Sequence, residues 1–153
     1  MPKDDVYQDR YLLRIADYHF QDGDGTRDKF MIVLNRNEEF AYIIHTLTTS
    51  QPNGFDPKKY GCHKVKNISY FYFPKDLEVG ENGFKFTSDT FVFFRDNIRK
   101  EDLKVLSKYP EKDVDFKDVI KKSALKELID CMLSSDFITS EQSDRLLKTR
   151  KTL

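Results

Sequence analysis

The clearest chemical feature of the sequence is a basic segment, residues 57–75, that contains no acidic residue. Lysines, a histidine and tyrosines alternate in it. Lysines can contact phosphates while tyrosine rings stack on unpaired bases, which is how single-stranded RNA is usually bound. The residues with which this segment would bind RNA are Lys58, Lys59, Tyr60, Lys64 and Lys66. The same lysines could instead be solvated charges that discourage aggregation beside an edge strand.

Metal-binding patterns are weak in this sequence. Residues 22–25 read Asp-Gly-Asp-Gly, but Arg27 stands where a calcium loop needs its glycine and Val33 where it needs its glutamate. Cys62 has no CxxC companion. His19 and His45 lie on strand patterns without carboxylates at ligand spacing. We therefore expect a turn or mobile loop at residues 21–26, no metal site and no cofactor.

Charge and composition limit the classes of function that are possible. The 26 Lys and Arg balance the 26 Asp and Glu, so a globally basic nucleic-acid coat is excluded and any polyanion site must be local. The 153 residues include 13 Phe and 8 Tyr and no long apolar run, which predicts one domain with a real core and no membrane span.

The two cysteines, Cys62 and Cys131, lie far apart in the sequence, and the first residues contain no apolar signal segment. Neither a disulfide scaffold nor secretion is indicated by this pattern. We therefore expect a protein of the reducing cytoplasm.

The first two-thirds of the chain has strand patterns. We expect strands at residues 11–20, 30–34, 40–47, 69–73, 83–86 and 90–94. The continuous apolar run at 30–34 is typical of a strand covered on both faces, and the strand after it should pair with it antiparallel. Residues 49–67 contain several prolines and glycines without clear periodicity, which predicts a long loop. The β part should end near Asp96.

From Lys100 onward the spacing of apolar residues changes toward that of helices. The residues that carry this spacing are Leu103, Val105, Leu106, Phe116, Val119 and Ile120. Ser123 is predicted to cap the next helix, and Thr139 with Gln142 has the capping-box spacing for the last one. Strands followed by helices predict a mainly β plus α fold, such as a small barrel with C-terminal helices. We divide it into a barrel-like domain, 1–110, and a helical extension packed on it, 111–153.

Three segments, in order, resemble the MazF/PemK-type toxin family. Residues 28–35, Asp-Lys-Phe-Met-Ile-Val-Leu-Asn, resemble the segment in which a basic residue leads into β-branched apolar residues. Residues 47–51, Leu-Thr-Thr-Ser-Gln, look like the threonine-containing turn after the third strand of those toxins. Residues 89–98 are similar to the late strand that runs into an Asp-Gln pair and then a helix. The resemblance covers about residues 10–107.

This resemblance implies a small SH3-like antiparallel barrel, a homodimer, and sequence-selective, metal-independent cleavage of single-stranded RNA. It also implies a cognate antitoxin protein that covers the RNA groove. The chain departs from the family pattern at Lys29-Phe30, where the family has Arg-Pro, and it lacks the usual Gly-Asp before the first strand. An ammonium group cannot reproduce the bidentate fork of a guanidinium.

The resemblance also implies roles for individual residues. The candidate catalytic residues are Asp96, Lys29, Arg27, Thr48 and Arg95, and Thr49 and Gln51 join the basic segment as candidate substrate-binding residues. Asp96 would take the proton of the 2′-hydroxyl, the basic residues would stabilise the phosphate or protonate the leaving oxygen, and Thr48 or Thr49 would donate a hydrogen bond. Alternatively, Asp96 and Asn97 could cap a following helix. His19 or His45 could act as the base instead.

Two other functions are compatible with the same sequence. One is a noncatalytic barrel-type binding or immunity protein that acts on a protein partner, in the manner of the gyrase-directed relatives of these toxins. The other is an unrelated α+β interaction domain. The ribonuclease hypothesis makes a spatial prediction: the basic segment should lie on the same face as Lys29 and Thr48.

Overall fold

The computed structural model describes residues 5–20 and 25–153 and shows a mixed β/α fold. The described strands are β1 (Tyr11–His19), β2 (Thr26–Asn37), β3 (Tyr42–Leu47), β4 (Gly61–Val65), β5 (Ile68–Phe73), β6 (Thr90–Phe93), β7 (Arg99–Asp102) and β8 (Val114–Val119). The described helices are α1 (Leu103–Leu106), α2 (Lys122–Leu133) and α3 (Ser140–Arg150), with a short 3₁₀ turn at Glu111–Asp113. The turn predicted at 21–26 falls mainly on residues 21–24, which lie outside the described residues.

The described strands form two antiparallel sheets. The larger has the order β7-β3-β2-β1-β8 and the smaller the order β4-β5-β6. Strands β1, β2 and β3 pair in succession, as the sequence predicts. An isolated bridge between Thr49, just after β3, and Phe91 in β6 joins the sheets. Within the described residues the strands do not close into a barrel.

Both faces of the β1–β3 meander are buried. One face packs against the smaller sheet and against α2 and α3, and it buries Leu12, Ile32 and Leu34. The opposite face buries Met31 and Val33 in a second cluster that includes residues of α1. The continuous apolar run of β2 is therefore covered on both sides, which confirms the prediction made from its sequence.

Three strands differ from the sequence predictions, and all three are edge strands. The helical spacing assigned to Phe116, Val119 and Ile120 is wrong, because residues up to Val119 form β8 and pair with β1. Strand β4 occupies part of the predicted loop, and β7, Arg-Lys-Glu-Asp, lies beyond the predicted end of the β part near Asp96. Strands β7 and β8 carry many charges, and β4 begins with a glycine and exposes most of its side chains, so these three sequences lack the apolar pattern that the edge strand β6 shows.

Two of these strands change the predicted organisation of the C-terminal third. The region from Lys100 onward, where the apolar spacing predicted helices, contains β8 and most of β7. The boundary drawn at residue 110 lies between these two strands, which belong to one sheet. Residues 83–86 do not form the expected strand; Lys85 makes only an isolated bridge with Glu78.

The two long helices begin differently. Helix α2 starts after Lys121, so Ser123 lies inside its first turn and is not its cap. Helix α3 begins with the predicted capping box: Thr139 Oγ1 accepts from the Gln142 backbone N–H at 3.1 Å, and Gln142 Oε1 accepts from the Thr139 N–H at 3.0 Å. A polar contact fixes α3 on β2, where Asn35 Nδ2 donates to Thr149 Oγ1 at 2.8 Å.

A disulfide joins Cys62 in β4 to Cys131 in α2, with their Cα atoms 5.6 Å apart. The spacing of the two cysteines in the sequence did not indicate this bond. The bond spans 69 residues, and it forms because α2 packs across β4 and β5, a tertiary contact that sequence separation does not reveal. In the described residues, none of the helices has the length and apolar character needed to cross a membrane.

Candidate functional site

Two adjoining depressions share Lys29, Thr48 and Thr49 in their walls. Their volumes are about 350 and 170 Å³. The cations that line one or the other are Arg27, Lys29, Arg95 and Arg99. We call the two depressions together the cationic groove. Six of the site residues predicted from the sequence line the groove. They are Arg27, Lys29, Thr48, Thr49 and Arg95, together with Gln51 in the wall of the larger depression.

Strand pairing brings the groove residues together. The register pairs Met31 of β2 with Leu47 of β3, so the beginning of β2 lies beside the end of β3. The backbone N–H of Thr48 donates to the carbonyl of Phe30 at 3.1 Å, which continues this pairing for one more residue. The Thr49–Phe91 bridge then brings β6, and the turn that follows it, to the same place.

Lys29 lies half-buried at the centre of the groove. Its Nζ donates to the backbone carbonyl of Thr48 at 3.2 Å. Burial, together with the nearby charges of Arg27 and Arg99, lowers the pKa of the Lys29 ammonium. A bound anion would offset both effects, so this environment favours occupation of the groove by a negative group.

The acidic residue that lines the groove is already engaged elsewhere. Asp28 accepts from Arg14 Nη2 at 2.6 Å and from the backbone N–H of Asp17 at 3.0 Å. In the part of the chain that the structure describes, the four groove cations form no ion pair with a carboxylate. Arg99 lies near enough to Glu101 to lower the pKa of that carboxyl, whereas Arg27, Lys29 and Arg95 have no carboxylate partner among the described residues.

Phe20 positions two of these cations. The guanidinium carbon of Arg27 lies 5.5 Å from the centroid of the Phe20 ring, and that of Arg99 lies 5.8 Å from it. Cation–π contacts of this kind hold the guanidinium groups while leaving their N–H donors available. The sequence analysis missed both Phe20 and Arg99, because Arg99 belongs to the charged edge strand β7 and has no motif of its own.

Asn97 fixes the turn between β6 and β7 to the end of β3. Its Nδ2 donates to the carbonyl of Leu47 at 2.7 Å, and its Oδ1 accepts from the Leu47 N–H at 3.3 Å and from Arg99 Nε at 3.1 Å. Asn97 therefore orients one groove cation and holds the turn that carries Arg95. It does not cap a helix, as the sequence analysis considered possible.

Asp96 does not line the groove. It is an exposed residue with φ of 57°, in the left-handed region, between Arg95 and Asn97. The chain continues from this turn into β7, so the strand-to-helix passage expected from the toxin resemblance is replaced by a strand-to-strand turn. The structure thus assembles the proposed cationic residues and leaves the proposed base outside their cluster.

The basic segment lies outside the groove walls. Its residues form the β4–β5 hairpin, and β5 separates β4 from β6. Lys58 pairs with Asp56 at 2.8 Å, Lys64 Nζ donates to the Ser134 carbonyl at 2.6 Å, and Lys66 occupies the hairpin turn with φ of 57°. Lys58, Lys59, Tyr60, Lys64 and Lys66 are all absent from the groove walls.

Tyr60 is held in an aromatic cluster. Its ring centroid lies 5.3 Å from that of Phe71, and burial together with nearby Glu127 raises the pKa of its hydroxyl. The alternative bases also lie apart from the groove lining. His45 is fully buried, and His19 lines a different cavity.

Comparison of this chain with protein-family models, with curated proteins and with solved structures found no match. The resemblance to MazF/PemK-type toxins therefore rests on the three sequence segments alone. Within the described residues there is also no group of three or more His, Cys, Asp or Glu side chains placed to hold a metal ion.

Proposed function

We propose that the cationic groove binds the phosphate backbone of single-stranded RNA and that the protein is a MazF/PemK-like, metal-independent endoribonuclease. The observation that carries this proposal is the convergence of Arg27, Lys29, Arg95 and Arg99 around two threonines, with no ion pair to a carboxylate among the described residues. Phosphate groups are the anions that such cations commonly bind, and they supply most of the affinity of nucleic-acid complexes.

In the proposed reaction the 2′-oxygen attacks the adjacent phosphorus and the 5′-oxygen leaves. Asp96 takes the proton of the 2′-hydroxyl, and Lys29, whose ammonium pKa is lowered, donates a proton to the leaving oxygen. Arg27 and Arg95 stabilise the negative charge on the phosphate. The products are a 2′,3′-cyclic phosphate and a free 5′-hydroxyl.

The barrel, the homodimer and the antitoxin belong to the same proposal. The β1–β3 meander and the Thr49–Phe91 bridge support an SH3-like relation between the two sheets. An antitoxin that covers the groove would have to present acidic groups to its cations. We place the protein in the cytoplasm, where Cys62 and Cys131 would be exposed to reductant, so activity should be measured in both redox states.

The second candidate function is a noncatalytic binding module. The position of Asp96 outside the groove walls favours it, because the groove cations alone can bind a polyanion but supply no base. Lys29 in place of the family's arginine favours it also. In this case the groove would bind RNA or an acidic protein partner without cleaving it.

The test uses the purified protein and a mixed-sequence single-stranded RNA, with and without EDTA. We expect cleavage in EDTA and loss of most of the activity in Asp96→Asn, since general-base catalysis is typically worth about 10²- to 10⁴-fold. Lys29→Ala and Arg95→Ala should each weaken RNA binding. Each should also make the fall of the logarithm of the association constant with the logarithm of the salt concentration less steep, by about 0.7 in slope. Lys126 is an exposed lysine of α2. Lys126→Ala is the matched control and should change neither the RNA affinity nor its salt dependence.

Each result selects among the candidates. Binding without cleavage by the folded wild-type protein would establish the noncatalytic module, and equal cleavage by wild type and Asp96→Asn would remove Asp96 from the mechanism. Absence of RNA binding would contradict both RNA functions. A larger loss of binding in Lys59→Ala than in Lys29→Ala would move the interface to the β4–β5 hairpin.

A further inference from the structure

A second cavity, of about 580 Å³, lies next to the cationic groove. Phe20 lines both. The cavity differs from the groove in its charge: its walls carry the carboxylates of Asp17, Glu101 and Asp113 and the ammonium of Lys108. Two depressions of opposite character therefore share one aromatic ring, and the second has no role in the function proposed above.

A buried carboxylate lies in the wall of this cavity. Glu101 is only 6% exposed, although its neighbours in β7 are exposed or half-exposed. Its Oε1 accepts hydrogen bonds from the Tyr18 hydroxyl and from His45 Nε2, the latter at 2.7 Å. Its Oε2 has no hydrogen-bond partner among the described residues. This oxygen is not among the fully buried unsatisfied atoms, so it is open to the cavity and available to a bound donor.

The hydrogen bonds keep this carboxylate charged. Burial would raise the pKa of Glu101, but the bonds from His45 and Tyr18 and the charge of Arg99 hold it below its usual value. The Nδ1 atom of His45 is buried and has no hydrogen-bond partner among the described residues. Glu101 therefore lies in the cavity wall as a charged carboxylate.

Aromatic rings form another part of the wall. Tyr109 stacks on Tyr18, with ring centroids 6.0 Å apart and planes 12° from parallel, and its hydroxyl accepts from the backbone N–H of His19 at 2.8 Å. Phe20 packs edge-on against Tyr18 with centroids 5.3 Å apart. These contacts fix the Phe20 and Tyr109 rings, so that their apolar surfaces can pack against an alkyl chain. An anionic acceptor between fixed rings is typical of sites for organic cations.

We propose that this cavity binds a small organic cation, with an ammonium or guanidinium head on the free oxygen of Glu101 and its alkyl chain against Phe20 and Tyr109. The head group could belong to a free amine or guanidine or to the side chain of a lysine or arginine of another protein. The chemistry is the same for both sources, and the cation is bound whether or not the cationic groove binds RNA.

The probes are butylguanidinium and its neutral isostere butylurea, titrated by calorimetry into the full-length protein at low salt. We expect saturable binding of butylguanidinium at least about tenfold tighter than that of butylurea, because the urea has the same shape but no charge. A glycine-flanked arginine peptide is titrated in parallel. Tighter binding of the peptide than of butylguanidinium would identify a protein side chain as the source, and the reverse would identify a free small molecule.

Two variants test the location. Glu101→Gln keeps the shape and removes the charge, so it should weaken butylguanidinium binding by about tenfold or more. Because this residue is buried, Val105→Trp provides a variant at an exposed position of the cavity wall that should block entry without touching the buried network. Val65→Trp is its matched control, a similarly exposed valine in β4 outside the cavity.

Lys29→Ala should bind butylguanidinium as the wild type does, which separates this site from the cationic groove. The proposal is overturned if the wild-type protein binds neither cationic probe saturably, if butylurea binds as well as butylguanidinium, or if the folded Val105→Trp variant binds like Val65→Trp.

Discussion

Asp118 holds the loop after Val79 against β8. The carboxylate is 1% exposed and accepts hydrogen bonds from the backbone N–H groups of Asn82, Phe84 and Val119 at 2.7 to 3.1 Å. The loop passes so close that a Cβ atom on Gly80 would lie 2.1 Å from Asp118 Oδ2. Glycine at position 80 is therefore required by this contact, and a larger side chain there would displace the carboxylate.

The hydrogen bonds to Asp118 make stability depend on pH. Burial would raise the pKa of this carboxyl, but the backbone donors hold it below its usual value. Since the folded-state pKa is below the unfolded value, its contribution to stability is present above the unfolded pKa of about 3.9 and is lost as pH falls through the folded pKa. We expect Asp118→Asn to destabilise the protein by about 1–3 kcal/mol at pH 7 and by less toward pH 3.

Urea unfolding at a series of pH values measures this difference. Asp115→Asn, at an exposed position of the same strand, should show a much smaller change. A difference between wild type and Asp118→Asn that stays constant from pH 7 to about pH 3 would contradict the pKa argument.

The part of the candidate site that lies on the β2–β3 hairpin could be predicted from the sequence. Lys29 and Thr48 meet because β2 and β3 are adjacent in sequence and their apolar runs fix the register. Asp96 and the hairpin lysines were harder to place, since their positions depend on turn geometry and on which sheet each strand joins. Glu101 gave no signal at all, because a single glutamate in a charged tetrapeptide does not reveal that its side chain turns inward.

At the level of single elements, the start of α3 is the clearest local determinant of structure. Thr139 and Gln142 satisfy each other's backbone N–H groups. We expect Thr139→Ala to lower the free energy of unfolding by about 1 kcal/mol, because an orphan donor at the helix start loses its partner. Thr139→Ser retains the hydroxyl and should cost much less. Denaturant unfolding of the three proteins measures both values, and equal stability of all three would show that the cap contributes nothing.

The strands that could be predicted from the sequence bury apolar side chains, whereas the strands that were missed are largely exposed. Strands β1 to β3, β5 and β6 bury apolar side chains, so their patterns record the core. In strands β4, β7 and β8 most residues are exposed or half-exposed, and these strands form because a neighbouring strand offers unpaired backbone groups. Such strands depend on long-range pairing, and no local period identifies them.

At the scale of the whole molecule, the disulfide joins the smaller sheet to α2. We expect the double variant Cys62→Ser/Cys131→Ser to be less stable than the oxidised wild type by about 2–4 kcal/mol, because the cross-link restricts the unfolded chain over a long loop. Urea unfolding with and without reductant measures this. Reductant should destabilise the wild type to about the level of the variant and leave the variant unchanged, whereas equal stability of oxidised wild type and variant would contradict the expectation.

The disulfide also determines how the chain would respond to a pulling force. A force applied to the two termini would pass from β4 to α2 through the sulfur atoms, so strands β5 to β8, which lie between the cysteines, would carry no tension. The 69 residues between Cys62 and Cys131 correspond to about 240 Å of extended chain that stretching could not release. Strands β1 to β3 and helix α3 lie outside this closed loop and would be the elements that unravel. Reduction of the disulfide would allow these residues to be stretched as well. The redox state therefore determines how far the protein can be extended.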